Sequence, residues 1–152
     1  MKGGTGMTSM EGIPGYKKGY LKGDFEFFHL KDRKSMEFEY HYHDFSKIII
    51  FISGNVTYLI EGKSYKLKPW DVLLVSSSEI HKPVIDPAGM YERIVIWVNP
   101  GFLEKHSSQD CSLLSCFDLA MSKNHNLLRL NTSYLKNLKQ NLSQLEAACK
   151  SN

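Results

Sequence analysis

Two histidines and a lysine occupy alternating positions in the segment HYHDFSK, residues 41–47. Side chains alternate between the two faces of a β-strand, so His41, His43 and Lys47 are expected to share one face. With His81 they bring three imidazoles that could bind zinc, nickel or iron. An ammonium group beside a divalent cation is electrostatically unfavourable, however. Lys47 therefore favours a pocket for a polar ligand, and the three histidines are the candidate ligands if any metal binds.

The segment that carries these residues has the pattern of short strands. β-Branched and aromatic runs, broken by Gly, Pro, Asn and Asp, extend from Phe25 to Val98 without an intervening helical pattern. This favours an antiparallel sandwich or barrel over a fold of alternating strands and helices. The candidate strands are 25–29, 36–43, 47–53, 56–61, 64–68, 71–76, 81–86 and 91–98.

Two dipeptides with glycine first, 54–55 and 62–63, have the composition of two-residue hairpin turns. A hairpin at the first dipeptide pairs Phe51 with Tyr58, and a hairpin at the second pairs Tyr58 with Leu67. Directly paired residues point to the same side of a sheet. The residues predicted to share one inward face are His41, His43, Phe45, Lys47, Ile49, Phe51, Val56, Tyr58, Ile60, Tyr65 and Leu67.

An inward face that is mostly apolar, with a few convergent polar groups, has the composition of a small-molecule pocket. A buried ammonium is costly without compensation, so Lys47 requires a carboxylate, carbonyl groups, water or a ligand. The alternative is an ordinary sheet core whose histidines are hydrogen-bonded and inert. The candidate ligand-binding residues are His41, His43, Lys47, Tyr58, Tyr65, His81, Arg93 and Trp97.

The orientation of the last candidate strand, YERIVIWV, stays open at this point. Arg93 and Trp97 share one of its faces, and the other face, with Ile94 and Ile96, is equally apolar. Arg93 could instead form a salt bridge. Its candidate partners are Glu92, Asp44 and Glu61.

After Pro100 the pattern becomes helical. Residues 109–122 have helical character, and 133–149 form the clearest helix, with Asn131 or Thr132 as its cap. Four leucines at 3-4-3 spacing give this helix an apolar seam. The seam suits packing on the β-domain of its own chain or packing between two subunits. Its members are Leu135, Leu138, Leu142 and Leu145.

Composition narrows the functional classes. The 152 residues fit one domain, and the net charge of +3 is too small and too evenly spread for a nucleic-acid footprint. No apolar run approaches the roughly 20 residues of a membrane span, and the N-terminus lacks the apolar core of a signal peptide. Cys111, Cys116 and Cys149 are expected to be free, buried thiols in a reducing cytoplasm.

The spacings HxH-x3-K-x6-G and P-x-D-x9-H resemble the two motifs of cupins, which are small jelly-roll β-barrels. Metal-binding cupins use two histidines and a glutamate from the first motif and a histidine from the second. Here Lys47 stands at the glutamate position, and Trp70 and Asp71 replace the end of the usual PxG. The matching residues are His41, His43, Lys47, Gly54, Pro69, Asp71 and His81.

The longer pattern, over residues 20–149, is similar to the N-terminal effector-binding domain of AraC-type transcriptional regulators. The H-x-H-D-F opening, the Y-x-I-E-G hairpin, the P-x-D turn and the terminal helices carry this resemblance. It implies a flexible arm at 1–19, a cupin-like barrel at 20–100, and a helical segment at 101–152 with a dimerisation helix at 133–149. The family's separate helix-turn-helix domain is expected to be absent from this chain.

The resemblance implies a bacterial, cytoplasmic sensing domain that is not an enzyme and needs no cofactor. It would bind a small effector, such as a sugar or another metabolite, and form a homodimer. DNA would be contacted only through the missing domain. The alternatives are a stand-alone metal-dependent cupin enzyme, an isomerase or dioxygenase using His41, His43 and His81, and a storage or scaffold cupin.

Overall fold

The computed structural model describes residues 16–17, 19–33 and 39–151. Over these ranges the chain forms ten strands and three helices. No helix in them is long and apolar enough to cross a bilayer. The strands are β1 (Tyr16–Lys17), β2 (Phe25–Asp32), β3 (His41–Tyr42), β4 (Ser46–Ser53), β5 (Val56–Ile60), β6 (Lys63–Lys66), β7 (Val72–Val75), β8 (His81–Ile85), β9 (Tyr91–Val98) and β10 (Leu127–Leu128), and the helices are α1 (Pro100–Lys105), α2 (Ser115–Ser122) and α3 (Thr132–Lys150).

The strands form two five-stranded sheets that share one core. The first has the order β1-β3-β8-β5-β6 and the second the order β10-β7-β4-β9-β2. All pairs are antiparallel except β1 with β3. Phe51 of the second sheet and Tyr58 of the first belong to the same buried cluster. The predicted antiparallel β-fold followed by helices is confirmed, with two facing sheets that are not closed into a continuous barrel.

The hairpin predicted at residues 54–55 is wrong, because β4 and β5 belong to different sheets. β4 pairs with β7 and β9, whereas β5 pairs with β6 and β8. Gly54 makes the corner between the sheets with a φ of +129°. Phe51 and Tyr58 are nevertheless both buried, as predicted. Residues that point inward from two opposed sheets enter the same core. The prediction that Phe51 and Tyr58 point inward is therefore correct, although the predicted pairing of their strands is not.

The second predicted hairpin exists, but its turn lies one residue earlier. The turn residues are Glu61 and Gly62, with φ values of +45° and +78°. Positive φ at both central positions is the geometry of a type I′ turn, which matches the twist of paired strands. Tyr58 therefore pairs with Tyr65 and not with Leu67. The pairing of β6 with β5 is thus shifted by two residues. Because side chains alternate with a period of two along a strand, Tyr65 and Leu67 still point inward and are buried.

Helix α3 packs against the outer face of the second sheet. Leu142 is buried there, and Leu138 packs beside it. The sheet residues in this cluster include Ile50, Val72 and Ile94. Two of the four seam leucines, Leu138 and Leu142, therefore pack on the β-domain of their own chain.

Several predicted boundaries change. The helical region predicted at 109–122 shortens to α2, and strand β10 follows it. Asn131 caps α3, because its side-chain oxygen accepts a hydrogen bond from the backbone N–H of Tyr134 at 3.0 Å.

The expected burial of the cysteines is wrong. Cys111 and Cys116 are exposed and Cys149 is partly exposed, and all three are free thiols.

Two predictions fall partly outside the described residues. The first is the arm at 1–19, of which 16–17 and 19 are described, and 16–17 form β1. The second is the strand at 36–43, of which 39–43 are described and His41–Tyr42 are in a strand.

A candidate ligand pocket between the two sheets

A cavity of about 310 Å³ lies between the inner faces of the two sheets. This volume lies at the lower end of the range of small-molecule sites, roughly 300–1,000 Å³. The structure places six of the eight predicted ligand-binding residues on its wall, and Tyr65 and His81 are not among them. The six are His41, His43, Lys47, Tyr58, Arg93 and Trp97.

Strands β4 and β9 place Lys47 beside Trp97 at one end of the cavity. The two residues are directly paired across the strands. Lys47 is only 8% exposed, and its Nζ lies 6.0 Å from the centroid of the Trp97 ring. That ring stacks on Phe45 at 4.6 Å and packs against Phe28 at 4.9 Å. A buried cation therefore sits next to an aromatic wall.

The three histidines form one buried cluster at the same end. His41 and His81 are paired across β3 and β8, and their ring centroids are 4.4 Å apart. His43 lies 5.0 Å from the first ring and 5.1 Å from the second. One nitrogen from each ring lies within 4.8 Å of the others. His81 packs against the two histidines that line the cavity.

Backbone carbonyl groups fix the tautomers of two of these histidines. Nδ1 of His81 donates to the carbonyl oxygen of Glu79 at 2.8 Å, and Nδ1 of His41 donates to that of Glu39 at 3.0 Å. A carbonyl only accepts, so Nδ1 carries the hydrogen, and Nε2 of the neutral ring carries a lone pair. Burial lowers the pKa of His81 to about 2, and the charge of Lys47 adds to this effect. His81 is therefore neutral, with Nε2 an acceptor.

The histidine cluster has suitable ligands for a metal ion but an unfavourable charge beside them. Metal-binding histidines commonly donate their second N–H to a carbonyl, as His41 and His81 do. Within the described part of the chain, however, the group contains no carboxylate. The cation of Lys47 lies near enough to lower the pKa of His81. The imidazoles suit a metal, whereas the local charge opposes a divalent cation.

Arg93 lies on the cavity wall, but its charge is balanced. Its Nη1 donates to Oδ1 of Asp32 at 2.6 Å, and Nη2 donates to Oδ2 at 3.4 Å. The guanidinium also lies 4.3 Å from the centroid of the Tyr91 ring. The partners considered from the sequence, Glu92, Asp44 and Glu61, do not include Asp32. Asp32 reaches Arg93 because β2 pairs with β9.

Two tyrosines lie near Arg93 and contribute neutral hydroxyl groups to the wall. Burial raises the pKa of Tyr91 to about 12, and burial also raises the pKa of Tyr58 well above its ordinary value. Tyr91 was not predicted as a site residue. It alternates with Arg93 along β9, so knowing which face of that strand points inward would have identified it.

Tyr65, predicted to line the pocket, belongs instead to a buried polar network. Its hydroxyl donates to Oδ1 of Asn126 at 3.3 Å and accepts from the backbone N–H of Asn126 at 3.1 Å. Nδ2 of Asn126 donates to Glu79 at 2.9 Å. The sequence carries no local signal for this network, because Asn126 lies 61 residues from Tyr65 and 47 from Glu79.

Asp71 of the second motif has a structural role away from the cavity. Its Oδ2 accepts a hydrogen bond from the backbone N–H of Lys68 at 2.7 Å, as expected of an aspartate in a turn. Its Oδ1 also pairs with Nε of Arg129 at 2.9 Å. The motif thus positions β7 and does not supply a cavity residue here.

Comparison with known proteins identifies one family. The family model described as the AraC-like ligand binding domain matches residues 27–149. Among solved structures, the chain is similar to a cupin-2 domain protein from Shewanella frigidimarina NCIMB 400, with 18% identity and a TM-score of 0.42 over 53% of this chain and 76% of that one. A cupin 2 conserved barrel domain protein from Salinispora arenicola CNS-205 gives 16% identity and a TM-score of 0.44 over 56% and 71%. No curated protein matches the chain.

Proposed function

The chain belongs to the family of AraC-like ligand-binding domains, and we propose that it is the sensing domain of a transcriptional regulator. The observation that carries the proposal is the cavity between the two sheets, whose wall includes the buried polar side chains of His41, His43 and Lys47. A mostly apolar cavity with a few convergent polar side chains is the usual make-up of a small-molecule site. The effector is accordingly a small polar metabolite, a class that includes sugars.

The cavity wall includes a residue of the N-terminal segment, so a bound ligand could act on that segment. Gly19 lines the cavity, and a Cβ built there would lie 3.7 Å from Trp97 and 3.9 Å from His43. Nearby, β1 pairs with β3 beside His41. A ligand in the cavity would contact Gly19, the last residue of the predicted arm at 1–19. Binding would therefore favour one arrangement of that segment, which is how a ligand shifts a conformational equilibrium.

Helix α3 offers a surface for a second copy of the chain. Leu142 is buried against its own sheet, but Leu135 and Leu145 are only partly buried and Tyr134 is 64% exposed. A partner helix would cover this apolar surface. In the proposed function the chain forms a cytoplasmic homodimer and reaches DNA through a helix-turn-helix domain outside residues 1–152.

A thermal-shift screen of the whole chain against sugars and small carboxylates tests the sensing role. A ligand at 100 times its Kd stabilises a protein by about 2.7 kcal/mol, which is readily visible in the melting temperature. We expect at least one compound to stabilise the wild type and to lose most of its effect in Lys47→Ala. Lys63→Ala is the matched control, because Lys63 is exposed on β6, outside the cavity wall. Equal stabilisation of all three proteins would contradict the proposal.

The histidine cluster supports a second candidate function, a metal-dependent cupin enzyme using His41, His43 and His81. This candidate predicts about one zinc, nickel or iron ion per chain in protein purified without chelator. Elemental analysis by mass spectrometry decides between the two. In the sensing proposal the metal content is far below one equivalent and is unchanged in His81→Ala.

A further inference from the structure

Two buried tyrosines line the cavity from opposite sheets. Tyr58 belongs to β5 of the first sheet and Tyr91 to β9 of the second, and both side chains lie on the cavity wall. Only 6% of Tyr58 and 4% of Tyr91 is exposed. Among the residues that the structure describes, no protein group forms a hydrogen bond with either hydroxyl. Buried polar groups nearly always have a partner, so two such hydroxyls on one cavity wall indicate contacts with a bound molecule.

A third buried tyrosine shows that the fold can satisfy such a hydroxyl where the group serves stability. Tyr65 is also 6% exposed, but it does not line the cavity. Its hydroxyl donates to Oδ1 of Asn126 and accepts from the backbone N–H of the same residue. The hydroxyl of Tyr65 therefore has a role within the fold, whereas those of Tyr58 and Tyr91 are available to a ligand.

Arg93 makes these hydroxyls better donors. Its guanidinium lines the same cavity and lies 4.3 Å from the centroid of the Tyr91 ring. Burial raises the pKa of Tyr58 and of Tyr91, so both rings are neutral and keep their hydrogens. The charge of Arg93 acts in the opposite direction on both pKa values, because it stabilises negative charge on a phenol oxygen. A hydroxyl gains such charge when it donates, so the matching group on a ligand is an acceptor.

The charges at this end of the cavity favour a neutral acceptor over an anion. Nη1 of Arg93 lies 2.6 Å from Oδ1 of Asp32, so the positive charge is balanced. Besides burial, the negative charge of Asp32 raises the pKa of Tyr91, so that charge acts at the hydroxyl. A carboxylate or phosphate bound here would be repelled by Asp32 and would compete with it for the guanidinium. A carbonyl oxygen has two lone pairs and no net charge, so it can accept from both hydroxyls.

Extending the proposed sensing function, on which this inference rests, we propose that Tyr58 and Tyr91 form a subsite for a neutral carbonyl group of the effector. The carbonyl belongs to a ketone, an amide or a lactone, and its oxygen accepts a hydrogen bond from each hydroxyl. The rest of the effector lies along β9, where Val95 and Trp97 continue the cavity wall. The packed rings of Phe28 and Trp97 favour a flat body there.

Removal of one hydroxyl at a time tests the assignment without any ligand. Tyr58→Phe and Tyr91→Phe keep the ring and remove only the oxygen. Because neither hydroxyl has a protein partner in the described ranges, both variants should melt at or above the wild-type temperature. Tyr65→Phe is the comparison and should melt lower, because it leaves Asn126 without the hydroxyl. If the two cavity variants lose as much as Tyr65→Phe, their hydroxyls stabilise the fold and the proposal is wrong.

Four compounds that share a phenyl ring test the chemical class. Acetophenone presents a neutral carbonyl, 1-phenylethanol a hydroxyl, benzoate a carboxylate, and ethylbenzene no polar group. Their affinities for the whole chain are measured by NMR titration with EDTA present, which keeps metal ions away from the histidine cluster. We expect acetophenone to bind more tightly than 1-phenylethanol and at least about tenfold more tightly than benzoate.

The two cavity variants assign the contact. The affinity of acetophenone is divided by that of ethylbenzene, so that the contribution of the phenyl ring cancels. In Tyr58→Phe and in Tyr91→Phe this ratio should fall about tenfold, the effect of one hydrogen bond at a buried site. Tyr134→Phe is the matched control, because Tyr134 is 64% exposed on α3 and should keep the wild-type ratio. A ratio that is the same in the wild type and in both cavity variants would overturn the subsite.

The remaining outcomes separate the subsite from the sensing function. If benzoate or 1-phenylethanol binds as tightly as acetophenone, the assignment to a neutral carbonyl is wrong. If the four compounds fail, the strongest stabiliser from the thermal-shift screen replaces them, and its effect should shrink in both cavity variants. An unchanged effect means that the subsite is wrong and the sensing function stands. If no compound stabilises the wild type, the sensing function falls, and the subsite falls with it.

Discussion

The carboxylate of Glu79 accepts a hydrogen bond from Nδ2 of Asn126 at 2.9 Å in the interior of the protein. The same carboxylate oxygen accepts the backbone N–H of Ser76 at 2.8 Å, and the carbonyl of Glu79 holds Nδ1 of His81. Asn126 directly precedes β10, and α3 begins soon after that strand, at Thr132. Glu79 therefore connects the histidine cluster, through His81, to the segment at Asn126 that leads into the C-terminal helix.

Replacing Asn126 by alanine should destabilise the protein and weaken ligand binding. The change leaves the Glu79 carboxylate without one of its buried donors, which costs about 1–3 kcal/mol. Urea denaturation measures the loss, and a thermal-shift titration with a ligand from the screen measures binding. Asn141→Ala, on the exposed side of α3, is the control and should stay within about 0.5 kcal/mol of the wild type. Equal unfolding midpoints for Asn126→Ala and the wild type would show that the network has no energetic role.

The leucines of the α3 seam should differ in role, some stabilising the fold of the single chain and others stabilising a dimer. Leu142 is 6% exposed and packs on the second sheet. Its replacement by alanine should cost about 2–5 kcal/mol of stability. A charged residue at Leu142 would disrupt the fold and could not report on dimerisation alone.

Leu135 and Leu145 are the informative pair for the dimer, because both are only partly buried within the chain. Replacing both by lysine should convert the dimer to a monomer in sedimentation velocity, with little change in melting temperature measured at low protein concentration. A wild-type chain that sediments as a monomer at tens of micromolar would refute the proposed dimer.

A cluster around His29 should make the attachment of α3 depend on pH. Nδ1 of His29 lies 2.9 Å from Glu146 of α3, and Nε2 lies 3.0 Å from Glu92 of β9. Lys31 lies 3.7 Å from Glu92, and Lys150 lies 3.2 Å from Glu146. Burial by itself lowers the pKa of His29, but the hydrogen bonds and charges of the two carboxylates outweigh it and raise this pKa above 6.5.

The sign of the effect follows from these shifts. A raised histidine pKa stabilises the fold fully below 6.5, and this contribution is lost as the pH rises through the higher folded value. The hydrogen bond from His29 lowers the pKa of Glu146 below 4.5, so its contribution is lost in acid. The stability difference between wild type and His29→Gln should therefore shrink between pH 6 and pH 8.5. His106→Gln, exposed after α1, is the control. A difference that does not change with pH would count against a charged His29.

The faces of the strands could be predicted from sequence, but the strand partners could not. Alternation along a strand is a local property, so His41, His43 and Lys47 are all buried as expected. The pairing of Arg93 with Asp32 joins segments 61 residues apart. Nothing near Arg93 in the sequence identifies β2 as its neighbour. Contacts of this kind are fixed by the order of strands in the sheets, which the sequence pattern leaves undetermined.

The hairpin that the sequence pattern predicts at residues 54–55 has the same origin. A two-residue turn and a corner between two sheets both need glycine, and both keep Phe51 and Tyr58 pointing inward. The pattern of apolar residues is identical in the two cases. The difference lies in what surrounds Gly54, namely the chain at Met90 and Tyr91.

Gly54→Ala should therefore destabilise the protein more than a change in an exposed turn would. At φ +129° an alanine is strained, and its Cβ would lie 3.0 Å from the carbonyl oxygen of Met90 and 3.3 Å from Cα of Tyr91. Strain of this kind costs on the order of 1–3 kcal/mol. The clash also displaces Tyr91, which lines the cavity, so ligand affinity should fall together with the melting temperature. Gly89→Ala is the control, because a Cβ there meets no atom within 4 Å. If both alanine variants melt with the wild type, the close approach of Gly54 to Tyr91 is not present in solution.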